Sequence, residues 1–79
     1  MMDWREHIHS DAAILGGKPV IRGSRISVEL VLERLSDGWS EEDLLRSFPH
    51  VTRDQLRAAI AFAADMVSEE GPLARSRAA

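Results

Sequence analysis

The segment TRDQLRAAIAFAADMVSEEGP, residues 52–72, carries the clearest structural pattern in the chain. Thr52 and Gln55 form a capping box, in which each side chain accepts a hydrogen bond from the other residue's backbone N–H. Apolar residues then recur at helical spacings of four, three and four, namely Leu56, Ile60, Ala63 and Val67, and Ala59, Phe62 and Met66 widen this stripe. Gly71-Pro72 ends the pattern. We therefore predict a long third helix after Thr52, with this apolar stripe facing the core.

Two shorter helices are predicted before it. Ser27 is suited to cap a first helix over Val28–Asp37, because its hydroxyl can accept from an N–H of the first turn. Gly38 follows at the position of a left-handed C-cap. Ser40 with Asp43 resembles a capping box for a second helix of about two turns. Pro49 ends that helix at Phe48.

Glycine and proline interrupt the N-terminal part too often for a helix. We expect short extended segments there, and a hairpin between Ile8 and Val20-Ile21 is one arrangement. The prediction is a single domain, mainly α, of the trihelical helix-turn-helix (homeodomain-like) type with a short N-terminal β segment. It has an extended region with a basic loop (1–27), a three-helix unit (28–71) and a frayed tail (72–79).

The bulk properties exclude several classes of protein. The chain has 79 residues and no cysteine, so neither a disulfide framework nor an oxidising compartment is indicated. Residues 1–10 are charged and lack the apolar core of a signal peptide, and no run of about 18 apolar residues suits a membrane span. We expect a cytoplasmic protein with no membrane contact.

A domain this small buries limited surface, so a partner subunit is an attractive source of stability. The segment 58–67 is apolar on nearly every side, with Asp65 its one charged residue. A helix that is apolar all round is buried all round. We therefore predict a homodimer with Ala58, Phe62 and Met66 at its interface, and an ordinary monomer core remains the alternative.

The charge is unevenly distributed, although the net value is only −3. Residues 17–25 hold three cations and no acid, namely Lys18, Arg22 and Arg25, whereas residues 29–43 hold six acidic residues against one basic residue. In a helix-turn-helix the third helix enters the major groove of DNA. Arg53, Gln55 and Arg57 are then candidate base readers, and Thr52 a phosphate contact. Surface arginines are common on capped helices, however, and the acidic second helix would repel phosphate.

No catalytic or metal constellation is recognised. His7 and His9 have the alternate spacing of strand neighbours, but no third ligand follows at a recognisable distance. Gly16-Gly17-Lys18 lacks the spacing, the following hydroxyl residue and the helix of a phosphate-binding P-loop. We predict no enzyme activity, no metal and no cofactor.

Several motifs resemble a known family. The stretch GGKPVIRGSRISV (16–28) is similar to the signature GGKPVIRGTRIPV of the domain-of-unknown-function family 433 (DUF433). The blocks LSDGWSEE (35–42), FPHVT (48–52) and AAIAFA (58–63) resemble others of its motifs. Ser24 replaces Thr and Ser27 replaces Pro in the signature, and Ala12, Phe48 and Phe62 are milder departures. The family's functional residues are poorly defined, so none is carried over.

The resemblance implies a helix-turn-helix fold, often dimeric, and the role of antitoxin in a VapBC-like toxin–antitoxin pair. The leading hypothesis is a dimeric antitoxin that represses its own operon by binding operator DNA and neutralises a PIN-like ribonuclease toxin. Lys18, Arg22 and Arg25 would then contact phosphates or the toxin. The alternative is a dimeric protein-interaction module that inhibits a partner enzyme without binding DNA.

Overall fold

The computed structural model describes residues 2–70, without the side chains of 69 and 70. Three helices follow one another, α1 (Val28–Ser36), α2 (Glu41–Ser47) and α3 (Arg53–Glu70). They are preceded by two short strands, β1 (Ile8–His9) and β2 (Val20–Ile21). The mainly helical class with an N-terminal hairpin is thus confirmed. The predicted tail (72–79) and the Gly71-Pro72 stop lie outside the described residues.

The three predicted helix caps are confirmed. The Ser27 hydroxyl accepts from the backbone N–H of Leu30 at 3.0 Å. Ser40 and Asp43 bond reciprocally at 2.8 and 3.0 Å, as do Thr52 and Gln55 at 2.9 and 3.1 Å. Each pair satisfies two backbone N–H groups that have no partner within the helix. The helices therefore begin where local side-chain chemistry places them.

The strands pair antiparallel, with Ile8 opposite Ile21 and His9 opposite Val20. This register is the predicted hairpin. A single turn of tight helix at Trp4–Glu6 precedes β1, and a second at Leu15–Gly17 lies within the connection. The backbone N–H of Arg22 donates to the carbonyl of His7 at 2.7 Å and extends the pairing.

The core lies between the hairpin and the three helices. It consists of Ile8, Ile21, Val28, Val31, Leu44, Val51, Leu56, Ala58 and Ala59. The predicted stripe of α3 is wrong at two positions, because Ile60 is 44% exposed and Val67 is 67% exposed. Leu56 and Ala59 of the predicted stripe are buried, together with Ala58 beside them. The hairpin and the first turn pack on that side of α3, where small side chains permit a close approach.

The N-terminal residues hold α3 in place. The indole Nε1–H of Trp4 donates to the Asp65 carboxylate at 2.6 Å. Its ring also meets the Phe62 ring edge-on, with centroids 4.7 Å apart. Such aromatic pairs are typically worth about 0.5–1.5 kcal/mol beyond the area they bury. The Trp4–Glu6 turn and the hairpin are therefore part of the packed domain and not an appendage to a three-helix unit. The described helices include none that is long and apolar enough to cross a membrane.

Candidate protein-binding groove and cationic pocket

An open apolar groove of about 640 Å³ runs between α1 and the second half of α3. We call it the α1/α3 groove. Its apolar lining consists of Pro19, Val28, Leu32, Phe62, Ala63, Met66 and Val67. Three of these side chains are substantially exposed, Leu32 at 36%, Met66 at 42% and Val67 at 67%. Since α3 continues beyond the part covered by the hairpin, this surface has no partner within residues 2–70.

Charged side chains border the α1/α3 groove. Glu29 and Glu33 of α1 line it together with Lys18. The Lys18 Nζ lies 2.8 Å from Glu29 Oε1, and both side chains are exposed. This hydrogen-bonded ion pair raises the pKa of Lys18 and lowers the pKa of Glu29. Lys18 is thus paired with a carboxylate at the groove. Arg22 and Arg25 of the same loop line a different pocket, which is described below.

The predicted DNA-reading arginines face the acidic start of α2. Arg53 is hydrogen-bonded to Glu41, and its Nη1 also lies 3.4 Å from Glu42 Oε2. The Arg57 Nε lies 3.5 Å from the second oxygen of Glu41. The hydrogen bond and the charge of Glu41 raise the pKa of Arg53. DNA would therefore have to compete with these carboxylates for both arginines.

The polar candidates at the start of α3 are also engaged. The Thr52 hydroxyl and the Gln55 carbonyl oxygen both serve in the capping box. The amide NH₂ of Gln55 is not used by that box, because the oxygen accepts the bond. Gln55 therefore keeps donors for a ligand while its position is fixed by the helix cap.

A smaller pocket, about 280 Å³ in volume, lies between the β2–α1 loop and the start of α3. We call it the cationic pocket. Its lining consists of Ile21, Arg22, Gly23, Ser24, Arg25, Ile26, His50, Val51 and Gln55. No carboxylate is among them. The structure thus places Arg22 and Arg25 beside Gln55, whereas Lys18 lines the α1/α3 groove. Sequence reasoning missed His50, because only the fold brings it to the signature loop.

The loop that forms one wall of the cationic pocket has a defined shape. The Ser24 hydroxyl donates to the carbonyl of Ile21 at 2.8 Å and accepts from the N–H of Ile26 at 3.0 Å. Gly23 has φ +84°, a conformation that strains any residue with a Cβ. The motif that joins Arg22 to Arg25 is therefore a hydrogen-bonded turn.

The three predicted dimer residues differ in accessibility. Ala58 is fully buried in the monomer core, so it offers no surface to a second copy. This prediction fails because the N-terminal segment covers that side of α3. Phe62 is partly buried against Trp4, and Met66 is exposed. Both line the α1/α3 groove. Within residues 2–70, no three His, Asp or Glu side chains are grouped to hold a metal ion.

Comparison with known proteins identifies relatives of this chain. Residues 8–63 match the family model described as protein of unknown function (DUF433). The uncharacterized protein y4eO of Sinorhizobium fredii (strain NBRC 101917 / NGR234) is 37% identical over 59 residues, which are 75% of this chain and 27% of that protein. The chain thus spans about a quarter of that relative.

A solved structure shares the fold. It is the crystal structure of a DUF433 member protein from Anabaena variabilis ATCC 29413, with a TM-score of 0.68 and 27% sequence identity. The similarity covers 89% of this chain and 64% of that chain.

Proposed function

The chain belongs to the DUF433 family, and we propose that it is a non-catalytic antitoxin that binds and neutralises a PIN-like ribonuclease through the α1/α3 groove. The observation that carries the protein-binding part is the groove itself, an apolar surface that no other part of the described residues covers. The nature of the partner rests on the motif resemblance. Contiguous exposed apolar patches on soluble proteins are often interaction sites.

The distribution of exposed apolar side chains supports this site. Leu32, Met66 and Val67 are contributed by two helices and converge on one groove. A groove between two helices suits an amphipathic helix of the partner, which lays its apolar face into the groove. The carboxylates of Glu29 and Glu33 on the border favour basic residues beside that face. We therefore propose that the partner contributes a helix with an apolar stripe and a basic flank.

Co-expression tests this proposal. The chain is produced together with the PIN-like ribonuclease encoded beside it, the complex is purified through a tag on the nuclease, and RNA cleavage is measured with and without the chain. The proposal predicts a stable complex and loss of cleavage as the chain reaches equimolar amounts. An active nuclease that neither retains the chain nor loses activity would contradict it.

A second candidate is a dimeric repressor that binds operator DNA. The observation that favours it is the position of Arg22 and Arg25 beside Gln55, at the end of α3 that a helix-turn-helix directs into the major groove. Two cations at that end would add phosphate contacts to any base contacts by Arg53 and Arg57. The side chains of Arg53 and Arg57 are exposed in their ion pairs with Glu41, and exposed ion pairs are weak enough for a phosphate to displace the carboxylate.

A gel shift with the chain's own promoter tests this candidate. The Arg53→Ala/Arg57→Ala double variant is expected to bind more weakly than the wild type, and binding should fall steeply with salt. Arg46→Ala serves as the control, since Arg46 is an exposed arginine paired with Asp43 within α2. Light scattering of the free chain reports whether it is a dimer. Full affinity in the double variant would exclude α3 as the reading helix.

A further inference from the structure

We propose that the cationic pocket binds one phosphate-type oxyanion. The site is independent of the α1/α3 groove and of any protein bound there. It deepens the second candidate function, because in a DNA complex the pocket would hold one backbone phosphate. Inorganic phosphate from solution is the other source of such an oxyanion, and the pocket would bind it through the same groups.

The two arginines of the pocket are the first reason. Among the side chains of residues 2–68, Arg22, Arg25 and Arg34 form no ion pair, and Arg34 lies against the Trp39 ring instead, with its Cζ 5.2 Å from the ring centroid. The five other basic side chains, at 5, 18, 46, 53 and 57, each have a carboxylate within 4.0 Å. Arg22 and Arg25 are both exposed. Arg22 donates one Nη2 hydrogen bond to the carbonyl of Arg5 at 3.3 Å, which holds the side chain and leaves its other donors unused. A guanidinium offers paired N–H donors that match two oxygens of a phosphate.

The remaining lining adds donors and no competing charge. His50 contributes an imidazole and Gln55 the amide NH₂ that its capping bond leaves over. The apolar side chains of Ile21, Ile26 and Val51 form the rest of the wall, and they lower the local polarizability around the cations. The start of α3 adds a positive partial charge from its aligned peptide dipoles. An anion is therefore the one class of ligand that every polar group of the pocket favours.

The size of the pocket restricts the ligand further. Its volume of about 280 Å³ lies just below the range of roughly 300–1,000 Å³ that is usual for sites of larger organic ligands. The turn between Arg22 and Arg25 is held by the two Ser24 hydroxyl bonds, so the cations are presented from a shaped loop. A single tetrahedral oxyanion fits these limits better than a whole nucleotide.

The test is a titration of the full ¹⁵N-labelled chain with inorganic phosphate, followed by NMR at constant ionic strength against chloride. We expect saturable shifts confined to the amides of residues 21–26 and 50–55. Arg25→Gln should weaken phosphate binding at least tenfold, because it removes the charged guanidinium donors. The fold should not change, because the Arg25 side chain makes no hydrogen bond within the described residues. Arg46→Gln is the matched control outside the pocket. His50→Gln is a second variant, and it should weaken phosphate binding less than Arg25→Gln does.

Promoter DNA is then added to the phosphate-saturated protein. Displacement of inorganic phosphate by DNA would show that the pocket binds a phosphate of the DNA backbone. Phosphate binding without any DNA binding supports a site for free phosphate, and it would remove the repressor candidate while the pocket remains. Absence of saturable shifts at the pocket, or equal affinity in Arg25→Gln and wild type, would overturn the proposal. DNA binding that Arg25→Gln does not change would also overturn it for the backbone.

Discussion

Glu41 lies between the two arginines that are predicted to read DNA, and its replacement by glutamine gives an informative test of α3. One carboxylate oxygen is bonded by Arg53, and the other lies 3.5 Å from the Arg57 Nε. The Glu41 side chain is 28% exposed. Glu41→Gln removes the charge but keeps the shape. Glu42, at 3.4 Å from Arg53, remains as a weaker competitor.

The gain in DNA affinity is limited by the strength of the ion pairs that Glu41→Gln breaks. Exposed pairs are typically worth about 0.2–1 kcal/mol each, so loss of both would tighten DNA binding by roughly 2- to 30-fold. Any phosphate contact that the pairs prevent in the wild type would also steepen the dependence of log K on log salt, by about 0.9 per arginine. A substitution that lies outside the DNA contact would then increase affinity.

Fluorescence anisotropy with labelled promoter DNA between 50 and 200 mM salt measures both quantities. Glu33→Gln is the control, because it removes one negative charge at α1, where no arginine of the described residues is paired with it. If both variants gain equally, only the net charge matters and Arg53 and Arg57 do not contact DNA. If DNA binds but Glu41→Gln shows neither a gain in affinity nor a steeper salt dependence, the reasoning is refuted.

Three further predictions concern the fold. Ser27→Ala should cost about 1 kcal/mol in urea unfolding through loss of the cap, whereas Ser27→Pro should cost less, since φ −80° suits the ring and restricts the unfolded chain; equal losses would contradict this. Ala58→Leu should cost about 1–3 kcal/mol by overpacking, independently of protein concentration; a concentration-dependent midpoint would place Ala58 at a subunit interface. The hydrogen bond from the backbone N–H of Ser40 lowers the pKa of Asp43 in the folded protein. Ionised Asp43 therefore stabilises the fold above its unfolded pKa of about 3.9, and this stabilisation is lost as pH falls through the folded pKa. Between pH 5 and 2, the free energy of unfolding of Asp43→Asn, measured with urea at each pH, should fall less than that of the wild type; an equal fall in both proteins would disprove the contribution.

The helices and their caps could be predicted because they depend on residues three or four positions apart. Ser27, Ser40 and Thr52 each lie next to the backbone group that they satisfy. The contact between Trp4 and Asp65 could not be predicted in this way, since the two residues are 61 positions apart. The N-terminal turn and the hairpin pack against α3, and the buried side therefore includes Leu56 and Ala59 of the predicted stripe but not Ile60 and Val67.

The two candidate sites show the same division. The basic residues of the signature loop were visible in the sequence, but their separation into Lys18 at the groove and Arg22 and Arg25 at the cationic pocket depends on the fold. The pairing of Arg53 with Glu41 also joins residues of different helices. Charge counts along the chain indicate neither which cations are neutralised nor which share a cavity.

The most direct test of the central claim, binding of a PIN-like ribonuclease in the groove, is a calorimetric titration of the proposed partner with two triple variants. The groove variant is Leu32→Ser/Met66→Ser/Val67→Ser, and the control, which changes exposed apolar residues outside the groove, is Met2→Ser/Leu15→Ser/Ile60→Ser. From their exposed fractions, full burial of the three groove side chains would contribute about 2–4 kcal/mol, or roughly a 30- to 700-fold change in Kd. We predict that loss in the groove variant and near wild-type affinity in the control. Equal affinity of the two variants would contradict binding through the α1/α3 groove.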